Sequence, residues 1–384
     1  MIKFIKIIFF ILLNFSFIFL SSVKAADKIK IGLLVPMTGS NKDLGLSIIK
    51  AVRLAVKDIN NDFIEIIPKD TASKPGKTLK SASELKEMGV RVVIGPIFFK
   101  SLTYLDEIKD LTFLSLTNKT LDLPQNVISA GINSTSQLNA IKKFLEENEI
   151  NKTIFLTPIQ DYEFEVKNGI KNSKIRIFKN YDYSTEPTKL TKQIEEFTNY
   201  KIRKQNLEDE IFRIKKSKEL NKEKKIKNLE KRYTLGGLNF DAVIIADFDE
   251  SLKSVTTSLL YTDVYPKNKY FITLNQWFNK SLLNETDIQP IYYPSINKNN
   301  FDNYKNKFFE EFNEYPSHLS LLSYDLVGLI YYLSLKNNFS NYNKLFKVKN
   351  SFKGKIGIFD IRNNKINHRL NFYKIQDKKL IKIF

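Results

Sequence analysis

The chain has 384 residues, and 61 Lys and Arg against 42 Asp and Glu give a formal net charge of +19. With 42% hydrophobic and 27% charged residues it can pack cores for two or three domains, which excludes global disorder. Lack of cysteine removes disulfides, thiolate nucleophiles and cysteine-held metals, and the two histidines, His318 and His368, leave little for a multi-histidine metal site or a serine triad.

From the N-terminus, Lys3 and Lys6 precede an apolar run over 7–20 broken only by Asn14 and Ser16, and small residues lead to Ala25. A charged start, a short apolar stretch and a small-residue exit predict a cleavable signal peptide over 1–25 and hence export. A retained anchor is the alternative, although the run falls short of the ~20 apolar residues that span a bilayer comfortably. No cysteine follows it, so no lipobox is expected. Cleavage removes Lys3, Lys6 and Lys24 and no acid, taking the charge from +19 to 19 − 3 = +16. The surplus of lysine would suit nucleic acid, but export places genomic DNA out of reach, and no nucleic-acid partner is expected.

Strands and helices then alternate. Residues 29–36 read as a buried parallel strand and 37–41 as a turn, after which Leu44, Ile48, Ile49, Val52, Ala55, Val56 and Ile59 share one helix face. A strand at 63–68 is followed by the polar loop 70–73 and a helix through Leu79, Ala82, Leu85 and Met88. Strands at 91–96, 113–117 and 127–130 complete one series, and a second runs through 153–158, 174–178, 241–246 and 270–273. The beat predicts an α/β fold with doubly wound parallel sheets in two similar lobes. The expected division puts 27–145 and 290–343 in the first lobe and 146–289 and 344–384 in the second.

Residues 201–232 break the pattern, carrying 13 Lys and Arg against 6 acids, a net of +7, with no Pro or Gly. Two sparse apolar stripes, Leu207, Ile211, Ile214 and Ile226, Leu229, Tyr233, predict a charged helical hairpin inserted in the second lobe. It reads either as a solvated arm or as a docking arm for a protein or an anionic wall polymer.

Catalytic material is sparse. No glycine-rich phosphate loop is present, the acids Asp247, Asp249 and Glu250 suit an exposed loop better than a metal or an acid–base pair, and Ser323-Tyr324-Asp325 lies in an apolar helical stretch. No enzyme, metal or cofactor is expected. What remains are polar and aromatic residues at strand C-terminal ends, where open α/β sheets bind ligands. In the first lobe these are Thr38, Gly39, Ser40, Phe98, Ser101, Ser115, Thr117 and Asn118. In the second they are Gln160, Asp161, Tyr162, Asp247, Gln276 and Trp277. Hydroxyls and helix N-termini can hold a carboxylate, an acid can pair with an ammonium, and aromatic rings can cover an apolar chain. Trp277, the single Trp, suits either rim or core.

The order of motifs resembles the type I periplasmic binding proteins of the leucine/isoleucine/valine-binding superfamily. The resemblance rests on IGLLVPMTG at 31–39, VIGP at 93–96, SYDLV at 323–327 and FKGKIG at 352–357. PKDT at 68–71, the charged segment leading into LNFDA at 238–242, LYTDVY at 260–265 and PSHLSLLSYD at 316–325 look most like the penicillin-binding protein activator branch. The resemblance implies two Rossmann-like lobes joined by a multi-strand hinge around a cleft, and a non-catalytic role. It further implies a regulator of peptidoglycan synthesis whose partner is a peptidoglycan synthase. The alternative is a substrate-binding protein that closes on an amino acid or similar small polar solute and delivers it to an ABC permease.

Overall fold

The computed structural model describes residues 28–336, 346, 348–355, 357–362 and 364–384; the expected signal peptide lies outside the described residues. Six of the seven residues of β1 (Ile29–Val35) are buried, so the strand sits inside a sheet, paired in parallel with β2 (Ile64–Asp70) and β3 (Val92–Ile94). β4 (Thr112–Ser115) and β5 (Val127–Ser129) extend the parallel ladder. Helix α1 (Lys42–Ile59) buries Ile48, Ile49, Val52 and Ala55, the stripe expected from sequence, and α2 (Pro75–Glu87) follows with proline in its first turn.

The second sheet is built from β6 (Thr153–Pro158), β7 (Lys179–Tyr183), β8 (Ala242–Ile245), β9 (Tyr270–Thr273) and β10 (Ile291–Ser295), all running parallel. Helices α3 (Ser134–Glu147), α4 (Glu163–Ser173), α5 (Pro187–Phe197), α6 (Tyr200–Lys216), α7 (Lys222–Leu229), α8 (Asp249–Tyr261) and the short α9 (Ser281–Asn284) belong to this half of the chain. The chain then forms α10 (Lys298–Phe312) and α11 (His318–Lys336), β11 (Asn350–Lys353), β12 (Ile358–Arg362) and β13 (Lys365–Arg369), and finally β14 (Asn371–Gln376) and β15 (Lys379–Lys382). The strand orders are β11-β12-β13-β5-β4-β3-β1-β2 and β15-β14-β10-β9-β8-β6-β7.

Three parts of the expected lobe division change. Helix α3 packs on the second sheet, where Phe144 stacks on Phe372 at 4.5 Å and meets Tyr270 and Tyr292. β10, expected in the first lobe, pairs with β9 and β14 in the second, while β11–β13, expected in the second, extend the first sheet. The reason is connectivity: the chain passes between sheets at 131–133, 296–297 and 370, so each lobe is assembled from separate stretches. The expected strand 174–178 is also displaced, to 179–183. β7 is an edge strand of mostly exposed polar residues, so it carries no apolar signature, whereas Ile175 packs into the core before the strand begins.

At the crossings the backbone is tied by side chains. Asn133 caps α3 by accepting the Ser136 amide at 2.8 Å and donates to the Ile366 carbonyl at 2.9 Å. His368, buried in β13, shares a 2.9 Å hydrogen bond with the Ala130 carbonyl, and burial pushes its imidazole down to about 4. Helix α11 is long and apolar enough to cross a membrane by length and composition, but 67% of it is buried against the lobe, with α1 alongside. Within it Tyr324 donates to Asp58, and Asp325 accepts the Lys355 and Gly357 amides at 2.9 and 3.0 Å. Gly354 sits so close to Asp325 that a Cβ there would lie 2.2 Å from Oδ2. The SYD stretch is thus packing and internal hydrogen bonding.

Helices α6 and α7 form the charged pair expected at 201–232. α7 buries none of its residues, but the base of α6 is anchored by Arg203, whose guanidinium is buried and donates to the Thr262 carbonyl at 3.0 Å and the Thr234 hydroxyl at 2.6 Å. At the tip, Arg213 pairs with Glu210 and Glu219, and Lys225 with Glu219.

Candidate functional site

The C-terminal ends of the parallel strands form two rims, one on each lobe. On the first, Asp70 at the end of β2 organises the neighbouring loops. Its carboxylate accepts the Met37 amide at 2.7 Å, the Thr38 hydroxyl at 2.6 Å and the Ala72 amide at 2.8 Å, and pairs with Lys77. Partial burial pushes this carboxyl up, but Lys77, Thr38 and the two amides together outweigh it and hold the group well below the usual carboxylate range. Thr38 is therefore engaged within the protein, while Gly39 and Ser40 beside it are exposed.

Further along this rim the chain turns at Gly95, whose φ of +102° and 2.2 Å clearance from a built Cβ to the Leu34 carbonyl admit only glycine. Ser115 donates to the Pro96 carbonyl at 2.7 Å and so staples the β3 turn to β4. Thr117 is buried, its carbonyl accepting Ser129 at 2.8 Å, while Asn118 is exposed. Phe98 is half-buried against the core. Ser101 is 2% exposed, and its hydroxyl has no hydrogen-bond partner among the described residues.

The second rim centres on Asp247, which follows β8. Tyr183 donates to one carboxylate oxygen at 2.7 Å; Tyr162 at 3.3 Å and the Phe248 amide at 2.9 Å donate to the other. Burial raises the Asp247 carboxyl, and these three donors only partly counter it. Both tyrosines are pushed up, first by burial and then by the Asp247 charge, so they stay protonated donors. Gln276 joins the cluster from the loop after β9, its amide donating to the Asp247 carbonyl at 3.3 Å and the Thr273 hydroxyl at 3.0 Å. The structure thus brings Tyr162, Asp247 and Gln276 together. Gln160 instead faces Thr185 at 3.2 Å, and Asp161 is exposed. Asp249 and Glu250 diverge towards Asn279 and Lys253, and among the described residues no group of three His, Cys, Asp or Glu is arranged to hold a metal.

Two contacts join the lobes near these rims. Glu165, buried in the first turn of α4, accepts the Thr120 and Leu121 amides and the Thr120 hydroxyl, each at 2.9 Å, from the loop after β4. Trp277, half-buried, stacks on His318 at the start of α11 with ring centroids 5.3 Å apart and planes 9° from parallel.

Sequence reasoning missed Asp70, Glu165 and Tyr183. Asp70 carried a signal, an acid two residues beyond the apolar run 63–68. Tyr183 was hidden by the five-residue displacement of β7, and Glu165 lies one turn beyond Tyr162 with nothing local to separate it from a solvated helix acid.

Residues 28–193 match the family model described as periplasmic binding protein. Solved structures extend the likeness over most of the chain. The LpoA C-domain from Haemophilus influenzae, described as a regulator of PBP1A, aligns at TM-score 0.60 and 15% identity over 92% of this chain and 100% of that one. The fold is that of the type I periplasmic binding proteins. A putative branched-chain amino acid ABC transporter protein from Rhodospirillum rubrum aligns at TM-score 0.69 and 11% identity, covering 93% of this chain and 100% of its own. The leucine-binding protein LivK from Thermotoga maritima does so at TM-score 0.54 and 13% identity, with 93% and 98% covered. The chain spans 60% of full-length LpoA. No curated protein matches it in sequence. The matched family and these neighbours are binding or regulatory proteins.

Proposed function

We propose that this chain is a non-catalytic periplasmic regulator of cell-wall synthesis, exported by the signal peptide 1–25, that binds a peptidoglycan synthase of the penicillin-binding protein class through its lobe surfaces. One observation carries the reading: the three most enclosed carboxylates at or between the rims, Asp70, Asp247 and Glu165, are already engaged by the protein's own donors, and the remaining candidate acid, Asp161, is exposed. Asp70 has two amides, a hydroxyl and Lys77; Asp247 has two tyrosines and an amide; Glu165 has two amides and a hydroxyl. An amino-acid receptor needs an acid for the ligand's ammonium, and here each of these acids would first have to give up a partner. A protein-binding platform has no such requirement. In this reading Thr38, Ser115, Tyr162, Asp247 and Gln276 shape the rims from within, and the likeness to a PBP1A regulator supports the choice of partner.

A second reading, a solute-binding protein serving an ABC permease, is favoured by Ser101, whose buried, unpartnered hydroxyl after β3 is available to the acid group of a bound solute. Biolayer interferometry with a purified bifunctional synthase, followed by a glycan polymerisation assay, separates the two. The regulator reading expects saturable binding and faster polymerisation. Absence of both, with binding to a permease, would replace it with the transport reading.

A further inference from the structure

Apart from Trp277, none of the rim residues lines a second concavity of about 520 Å³, where α10 and the start of α11 meet the loop after β9. Its size falls in the ~300–1,000 Å³ range of small-molecule sites. Its walls are unusually aromatic: Trp277, Phe278, Tyr293, Phe301, Tyr315 and His318 all line it. The rings form a connected surface. Trp277 stacks on His318, Phe301 lies 6.2 Å from His318, and Phe278 lies 5.6 Å from Phe301.

The loop that presents Trp277 and Phe278 holds both in the left-handed region, at φ of +49° and +57°. Asn275 fixes this geometry by accepting the Trp277 amide at 3.0 Å and the Ser295 hydroxyl at 2.8 Å. Two successive non-glycine residues in that region persist only where the surroundings over-determine them.

Charge gives the concavity a polarity. Lys280, Lys298 and Lys305 line it with a single acid, Asp302, which Lys298 engages at 2.6 Å. Lys305 sits 4.4 Å from the Tyr315 ring centre and Lys298 5.6 Å from that of Phe278, so ammonium groups stand directly over the aromatic walls. Lys280 lies on the exposed margin. An aromatic ring can lie among these side chains while an attached anionic group meets the lysines. A zwitterionic amino acid fits poorly, because its ammonium would face Lys280 and Lys305 while the single acid, Asp302, is already engaged by Lys298.

We infer that this concavity is a binding site for a small aromatic acid, distinct from the rim cluster around Asp247 and formed by elements of both lobes. The inference does not depend on the regulator reading. Trp277 is the only tryptophan in the chain, so its emission reports on the site directly. Phenylacetate, titrated against the full chain, is expected to change that emission saturably, with neutral phenylacetamide binding about tenfold more weakly for want of the charge. The double variant Lys280→Glu/Lys305→Glu is expected to lose phenylacetate binding by about tenfold or more while its circular dichroism stays native. The milder Lys305→Gln, expected to show a smaller loss, provides the same comparison should the double variant not fold. A linear, non-saturating response, equal responses to acid and amide, or unchanged phenylacetate affinity in the folded variants would overturn the assignment.

Discussion

The two rims solve one problem in opposite ways. Each centres on an aspartate at the end of a parallel strand, Asp70 after β2 and Asp247 after β8. Asp70, the last residue of β2, is partly exposed and is held as an anion by a lysine, a hydroxyl and two amides. Asp247 is 5% exposed, has tyrosines and one amide for partners, and meets no cation among the described residues. One carboxyl is held below its ordinary range and the other above it, although the local sequence around each is merely an acid following an apolar run. Deeper burial at Asp247, and the lysine that only Asp70 meets, separate them. Neither arrangement leaves an acid waiting for a ligand's ammonium.

The comparison is tested most severely at the acid that bridges the rims. Glu165→Ala removes the acceptor of two amides and a hydroxyl across the lobes, and should cost on the order of 3 kcal/mol in chemical denaturation. A loss below about 1 kcal/mol would mean that the lobes are held elsewhere.

Asp70→Asn comes next, at about 2 kcal/mol near neutral pH, because it removes a charged acceptor with four partners. The sign with pH follows from the depressed value. This stabilisation is complete above the unfolded carboxylate value of about 3.9 and disappears as pH falls through the lower folded one. The gap between wild type and variant should therefore close in acid.

Asp247→Asn should have the smallest effect, within about 1 kcal/mol at pH 7, since it also removes the penalty of a buried charge. Here the native state binds its proton more tightly than the unfolded chain, so wild type gains stability relative to the variant as pH falls towards the raised value. Parallel urea melts of both aspartate variants from neutral to acid pH would show opposite trends; trends of the same sign would break the comparison.

How much of this was legible in the sequence depends on burial. Strands β1, β8 and β9 announce themselves because parallel strands covered on both faces are continuous apolar runs, and α1 does so through its stripe of buried residues. The edge strand β7 has no such constraint, and with its register went Tyr183, which completes the Asp247 cluster. Of the expected rim residues, Tyr162, Asp247 and Gln276 converge because they sit beside strands that alternation locates well. Glu165 and the pairing of Trp277 with His318 are contacts between lobes, and these depend on three chain crossings that local pattern does not encode. The charged pair α6–α7 was visible as composition, but its buried anchor Arg203 was one basic residue among thirteen.

If Asp70, Asp247 and Glu165 are committed internally and the proposed protein-binding role holds, thermal denaturation of the full chain with each of the common amino acids and with short peptides will be blind to these additions. A ligand confined to the native state adds about 2.7 kcal/mol at a hundred times its Kd, a shift of several degrees that is readily seen. No saturable shift is expected with any of them. A saturable rise in Tm with one amino acid, abolished by Asp247→Asn, would contradict the protein-binding role.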